Sequence, residues 1–283
     1  MSGVQLRIDG VQGPAWVQDL GRPGHMHEGV PWGGALVPEL LLAANLALGN
    51  PPQAAGIEFF GSLRLTLPPG RALAQDGRRL EGALDAPLRP AAGARVSYVA
   101  VAGGVDCPAW FGGRGTLVAT GLGGWQGRPL RPGDALPLGA AGTLPAAAQG
   151  RLVAPAPDVD SVTALRVYPG PDAAMLGAAL QAALWRQLLA TCWCVGRASD
   201  RSGTVLEGPP LALPQGVAEA AASAPSRPMV AGAIQLPPSG QPIVLGPDHP
   251  VTGGYPLIGV LRRQDLGALQ LRCPGAALRL RAA

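Results

Sequence analysis

Apolar and polar positions alternate over short spans through most of this chain, and long apolar stripes are few. Val4-Gln5-Leu6-Arg7-Ile8 alternates as a half-buried strand does. Leu63, Leu65 and Leu67 alternate with Arg64 and Thr66, so residues 57–67 read as strand. Residues 96–102 are apolar apart from Ser97, the pattern of a strand central in a sheet. Weaker strand patterns lie within 71–95. Clearer ones lie at 165–168, at Trp193 and Val195, and at 204–206, 260–262 and 277–280. Two stretches carry a helical pattern. Residues 38–48 start on proline, where the missing N–H costs nothing, and their leucines and alanines cover most of the helix surface. Gly49-Asn50-Pro51-Pro52 ends them. Residues 171–190 put Met175, Leu176, Leu180, Leu184 and Leu188 on one face, which predicts a second helix with Met175 in the core.

The stretch 232–259, GAIQLPPSGQPIVLGPDHPVTGGYPLIG, holds the densest candidate chemistry. Two short apolar strands, at 233–236 and 242–245, flank Pro237-Pro238-Ser239-Gly240, a turn in which proline presets φ and glycine takes a positive φ. Asp248 and His249 follow, then Thr252-Gly253-Gly254-Tyr255-Pro256. Side-chain donors and acceptors beside paired glycines, on a loop between strands, suit a binding site. They equally suit a polar hairpin tip that binds nothing, and the pattern alone does not separate the two.

Composition narrows the function classes. The chain has 283 residues, enough for one large or two ordinary domains. With 42 Gly and 31 Pro, many short strands joined by turns fit better than long helices. All 22 basic residues are arginine, so a phosphate loop that relies on lysine and Schiff-base chemistry are both closed to this chain acting alone. The glycine clusters at 103–104, 112–115 and 121–127 therefore read as turns between strands. A net charge of +4 with scattered arginines argues against nucleic acid. Four cysteines without C-x-x-C spacing fit a reducing compartment, and no metal site is expected. No signal-peptide pattern opens the chain, and no uncharged apolar run reaches membrane-spanning length; a soluble cytoplasmic protein is the expectation. Residues 140–160 read as a linker and 213–227 as a mobile low-complexity loop.

Residues 17–36 form a second constrained loop, with Asp19, Arg22, His27 and Glu28 as its ionisable groups. Such a set can bind a carboxylate or relay a proton, or form a structural ion-pair cluster. Arg22-x-Gly24-x-x-x-Glu28-Gly29-x-Pro31 matches Arg201-x-Gly203-x-x-x-Glu207-Gly208-x-Pro210. Pro132-Gly133-x-Ala135-Leu136-x-Leu138 matches Pro274-Gly275-x-Ala277-Leu278-x-Leu280. The two pairs stand in the same order, which predicts two related β domains, 1–140 and 160–283. Approximate two-fold packing of such domains would turn both arginine loops to one cleft, and arginine suits a carboxylate or phosphate.

GAIQ-x-PP-x-GQPIVL followed by TGGYP resembles a carboxyltransferase-like family. That family includes the C subunit of bacterial 5-oxoprolinase, the kinase-inhibitor antagonist of sporulating bacteria, the second subunit of allophanate hydrolase and part of urea carboxylase. Further motifs follow the family's order: VQDLGRPG-x-x-H-x-GVP-x-GGAL, AN-x-x-x-GNP, Glu58, VAGG-x-D, GGWQGR-x-L-x-x-GD and SDR-x-G-x-x-LEGPPL. The resemblance covers nearly the whole chain. It implies a mainly β fold of two cyclophilin-like β-barrel units related by duplication, with a few helices. It also implies a component, inactive alone, that opens the lactam of 5-oxoproline to glutamate with ATP, beside an A-subunit homologue and a kinase-inhibitor-like B subunit. Under it, Arg22 and Arg201 hold phosphate or the substrate carboxylate, and His27 or Asp200 moves a proton. Gln235, Gln241, Thr252, Gly253, Gly254 and Tyr255 contact a small amide. Two alternatives stay open. One is a non-catalytic partner of a kinase-inhibitor-like protein. The other is a biotin-dependent carboxyltransferase, or a component of allophanate hydrolase, that acts on urea-type amides. Val37, Ser202, Thr204 and Leu257 depart from the family's usual Asp, Met, Tyr and Lys, and residues 71–80 lack its Gly-Ala-Asp turn. These departures bear on the chemistry and leave the expected fold intact.

Overall fold

A computed structural model describes residues 4–80, 86–142, 164–172, 176–211, 213–216, 219 and 225–283. The chain divides into two compact units, Met1–Gly24 with Trp32–Ala156, and His25–Pro31 with Pro157–Ala283. Each has its own apolar core.

In the first unit, β1 (Gln5–Gln12) lies between β4 (Ser62–Thr66) and β8 (Ala135–Pro137). A five-stranded antiparallel sheet runs β2 (Ala15–Gln18), β3 (Gly56–Phe59), β7 (Ser97–Val101), β5 (Leu73–Gln75), β6 (Arg78–Leu80). The near-continuous apolar run at 96–102 does take the centre of this sheet, as β7, and every one of its residues is buried. The expected single strand over 57–67 is instead two strands in different sheets. Gly61 breaks it: its φ is +77°, and a Cβ there would lie 2.3 Å from the Gln12 carbonyl oxygen. Helix α1 (Pro38–Ala47) forms where its pattern placed it. Its stop is held by side chains. Asn45 donates to the Ala54 carbonyl (2.8 Å), and Asn50 donates to Asn45 Oδ1 (3.0 Å) and to the Val101 carbonyl (2.9 Å). The five-residue spacing in AN-x-x-x-GNP thus ties the helix end to β7.

In the second unit, seven strands close a barrel in the order β10 (Cys192–Val195), β11 (Gly203–Glu207), β14 (Ile243–Leu245), β13 (Ala233–Gln235), β16 (Leu257–Leu261), β9 (Ala164–Pro169), β17 (Ala277–Ala282). Among these described strands only β17 and β9 pair in parallel. Closure leaves no free sheet edge, so the backbone groups of short strands find partners all round. A two-stranded ribbon of β12 (Arg227–Pro228) and β15 (Thr252–Gly253) stands beside it. Helix α2 spans Ala178–Ala190, shorter than the 171–190 expected. Gly177, at φ +73°, cannot continue a right-handed helix backward, and Asp172 lies in a turn. Met175 lies outside the described residues, as does most of the expected linker. A third helix, α3 (Arg263–Leu271), has no counterpart in the sequence pattern. Its three buried apolar positions, Gly267, Leu269 and Leu271, are too few to make a legible stripe. Among the described residues the fold is mostly β, with three helices described along their full length. The closed barrel belongs to the second unit, while the strands of the first form a five- and a three-stranded sheet, so a duplication is not established.

Candidate functional site

In the second unit the loops that begin β11 and leave β14 close on each other. Asp200 shapes the first: its Oδ1 accepts the backbone N–H of Ser202 (2.7 Å) and of Gly203 (3.1 Å). That turn aims Arg201 at Asp248. The guanidinium donates Nε–H and Nη2–H to the two oxygens of one carboxylate, at 2.7 and 3.0 Å. Both side chains are only 7 % exposed. Backbone bonds brace the pair, since Asp248 N–H donates to the Arg201 carbonyl (3.1 Å) and Gly246 N–H to that of Ser202 (2.8 Å). Gly246 is required by this closeness; a Cβ there would lie 2.3 Å from the Arg201 carbonyl oxygen.

His249 comes next and is 1 % exposed. Its Nδ1 lies 2.7 Å from the Pro250 carbonyl oxygen. Burial disfavours the imidazolium and holds the ring's pKa below its ordinary value, against weaker opposing effects of the Pro250 carbonyl and the Asp248 carboxylate.

The TGGYP loop is anchored at both sides by one buried carboxylate. Asp172 accepts the Leu257 N–H and pairs with Arg227 of β12. Gln235 stands beside Gly253: a Cβ on that glycine would come within 2.8 Å of Gln235 Nε2. Tyr255 is 43 % exposed. Leu257 packs with Met229, Ala233 and Leu245 in a small buried cluster, a setting that disfavours a charged head group. Thr204 is buried and donates to Gln270 (3.3 Å). Gln241 is committed to the backbone, accepting Gly208 N–H (3.2 Å) and donating to Gly208 O (3.0 Å). His27, on a 3₁₀ turn (Met26–Glu28), is largely exposed and shares one oxygen of Glu28 with His25, at 3.5 and 3.1 Å.

Arg22 belongs to the first unit and is 1 % exposed. Its Nη2–H donates to the Gly115 carbonyl, and its backbone N–H to Trp32 O (2.8 Å). Asp19 accepts Gly21 N–H (2.9 Å) and Arg114 N–H (2.5 Å). The glycine clusters serve this close packing. A Cβ on Gly123 would sit 2.3 Å from Gly115 O, and one on Gly124 would sit 1.9 Å from Thr116 Oγ1. Buried Glu58 completes the loop's support, accepting Leu36 N–H (2.9 Å) and the Tyr98 hydroxyl (2.6 Å).

The structure therefore joins Arg201 with its shaping neighbour Asp200, sets Gln235 beside Gly253, and keeps Thr252, Gly254 and Tyr255 on the same loop. The sequence pattern does not single out Asp248 and His249 as site residues, although they stand in the same polar run; the available signal is their place between β14 and the glycine pair. Among the described residues no group of three or more His, Cys, Asp or Glu side chains is placed to hold a metal ion. No described helix is long and apolar enough to cross a membrane.

Residues 87–282 match the model of the carboxyltransferase domain, subdomain A and B. The chain is 33 % identical over 269 residues to the C subunit of 5-oxoprolinase from Escherichia coli K12, covering 88 % of this chain and 82 % of that one. The crystal structure of TTHA0988 superposes with a TM-score of 0.76 at 26 % identity; all of this chain is covered, and it spans 56 % of that chain, little over half its length. The urea carboxylase of Kluyveromyces lactis gives the same TM-score at 20 % identity, covering all of this chain and 28 % of that one, a likeness of fold. The chain belongs to the carboxyltransferase-domain family that includes the C subunits of 5-oxoprolinase.

Proposed function

We propose that this chain is the C-type component of an ATP-dependent 5-oxoprolinase, inactive alone, that acts with homologues of the A and B subunits to open a lactam to the amino acid. The observation that carries this reading is the match to the C subunit of 5-oxoprolinase along 88 % of the chain. The geometry of the second unit agrees with it. A lactam is a stable amide that presents one N–H, one carbonyl oxygen and, in 5-oxoproline, a carboxylate. Gln235, Thr252, Tyr255 and the half-buried backbone at Gly253 and Gly254 supply donors and acceptors for such a ligand on one loop system. Arg201, held in register by Asp200 and Asp248, supplies the positive end of a fixed dipole beside it. In this reading Arg22 and Gln241 hold backbone in place and His27 lies at the solvent-facing edge. The nucleotide chemistry falls to the partner subunits, because this chain has no lysine and most glycines of its turns at 113–127 are packed against neighbouring protein atoms.

The test is co-expression with the A- and B-subunit homologues, followed by ATP-dependent release of glutamate from 5-oxoproline. Release is expected only when all three chains are present. Tyr255→Ala, at an exposed position without a hydrogen bond to any described residue, should lower kcat/KM about tenfold, the loss of one good contact, and leave the melting temperature unchanged. A stable complex that turns over ATP but not 5-oxoproline would move the chemistry to another amide. Absence of any complex would sink the proposal.

A further inference from the structure

We infer that Nε2 of His249 is the acceptor that reads the N–H of the substrate amide, a specificity-determining contact for the lactam reading on which it rests. The tautomer follows from one bond. The Pro250 carbonyl can only accept, so the 2.7 Å contact requires the hydrogen on Nδ1. In the neutral ring Nε2 is then a bare acceptor. Among the described residues the charged group that acts on the ring is Asp248, which is paired with Arg201. Burial outweighs the carboxylate's pull toward the imidazolium, so the ring stays neutral at pH 7.

No hydrogen bond links Nε2 to any described residue. The side chain is buried, 1 % exposed. A polar atom brought this far from water without a protein partner calls for a donor from elsewhere, which a ligand N–H would supply. The position suits one. His249 follows the Arg201–Asp248 pair by one residue and precedes the Gly253-Gly254 pair by four. Its ring is fixed by Pro250 O, so the acceptor is preorganised. A secondary amide offers a donor of the right kind; a lactone, in which ring oxygen replaces N–H, offers a second acceptor and leaves Nε2 unpaired.

The measurement compares 5-oxoproline with that lactone, by calorimetry without ATP and by kcat/KM with ATP, on the complex of this chain with its A- and B-subunit homologues. The wild type should prefer the lactam about tenfold or more. His249→Asn keeps a donor for Pro250 O, removes the acceptor at Nε2, and should bring lactam affinity down to the lactone's. If that variant does not fold, the wild-type lactam-to-lactone ratio still decides. Hydrolysis of 5-oxoproline with no preference over the lactone overturns the inference and leaves the lactam reading standing. If 5-oxoproline is neither bound nor opened but urea binds, and binds about tenfold less well to His249→Asn, the lactam reading falls and the acceptor role stands. If 5-oxoproline and urea both fail to bind, or bind the variant as well as the wild type, His249 is only a packed side chain.

Discussion

Arg201 and Asp248 meet side-on, two N–H groups on one carboxylate, with little of either side chain in water. Removing one member breaks a buried charge pair, which costs about 3–5 kcal/mol, whereas the intact pair is worth much less relative to apolar packing. Arg201→Ala and Asp248→Ala should therefore each lower stability in urea unfolding by about that amount, and the double variant should fall well short of their sum. Additive losses would mean that the two side chains act independently. The same arithmetic limits what Arg201→Ala can say about catalysis, because a lost activity would follow from the lost loop. Tyr255 is exposed and makes no hydrogen bond to a described residue, so its substitution reports on ligand contact directly. Arg22 and Arg201 look alike in sequence and differ in partner, a backbone carbonyl against a carboxylate. Side-chain identity and spacing do not reveal that difference, since it depends on which loop folds over each arginine.

The elements follow local rules where local patterns are strong. Strand β7 was legible because five successive residues are buried on both faces, and the turn at 237–240 because Gly240 takes φ +76° and closes onto the Pro237 carbonyl at 2.9 Å. The break at Gly61 was not, because alternation runs straight through it and the cause is the approach of Gln12 from another strand. Helix α3 was hidden for a related reason. Asp265 at its start accepts the Arg166 N–H across 99 residues at 2.7 Å, a tertiary contact that no window of sequence displays. The candidate site depends on a similar approach at Gly246, where the loops from β11 and β14 leave no room for a side chain. Gly246→Ala should push them apart and cost about 1–3 kcal/mol, the range for overpacking. A thermal scan should show the loss, and hydrogen exchange should show weaker protection of the Gly246 and Asp248 amides. Unchanged protection would mean that the loops absorb the methyl group elsewhere.

At the scale of the molecule, the motif order along the chain made the family legible, and the strand patterns made the β class legible. The composition of the units was less so: residues 25–31 group with the second unit although the chain on both sides of them belongs to the first, and a linear reading assigns such a segment to its neighbours. The units also differ in how they answer acid. In the first, burial pushes the Asp134 carboxyl up, but hydrogen bonds from Arg128 and the Arg131 N–H more than offset it and hold it below 3.8. That contribution is present above pH 3.8 and disappears only as pH falls through the depressed value. In the second unit the His249 ring is held below its ordinary value of 6.5 by burial. Unfolding returns it to that value, so between the two the unfolded chain binds more protons. The stability tied to a neutral His249 is therefore complete above pH 6.5 and declines as pH falls toward the folded value. Asp76 works in the opposite sense, since burial raises its carboxyl and the associated stability fades as pH rises. It is common to the wild type and to His249→Asn, so their difference isolates the histidine. Between about pH 7 and pH 5 the wild type should lose more stability in urea than His249→Asn does. Parallel losses would mean that the ring takes up its proton as readily when folded as when unfolded, and that it is not the preorganised neutral acceptor inferred above.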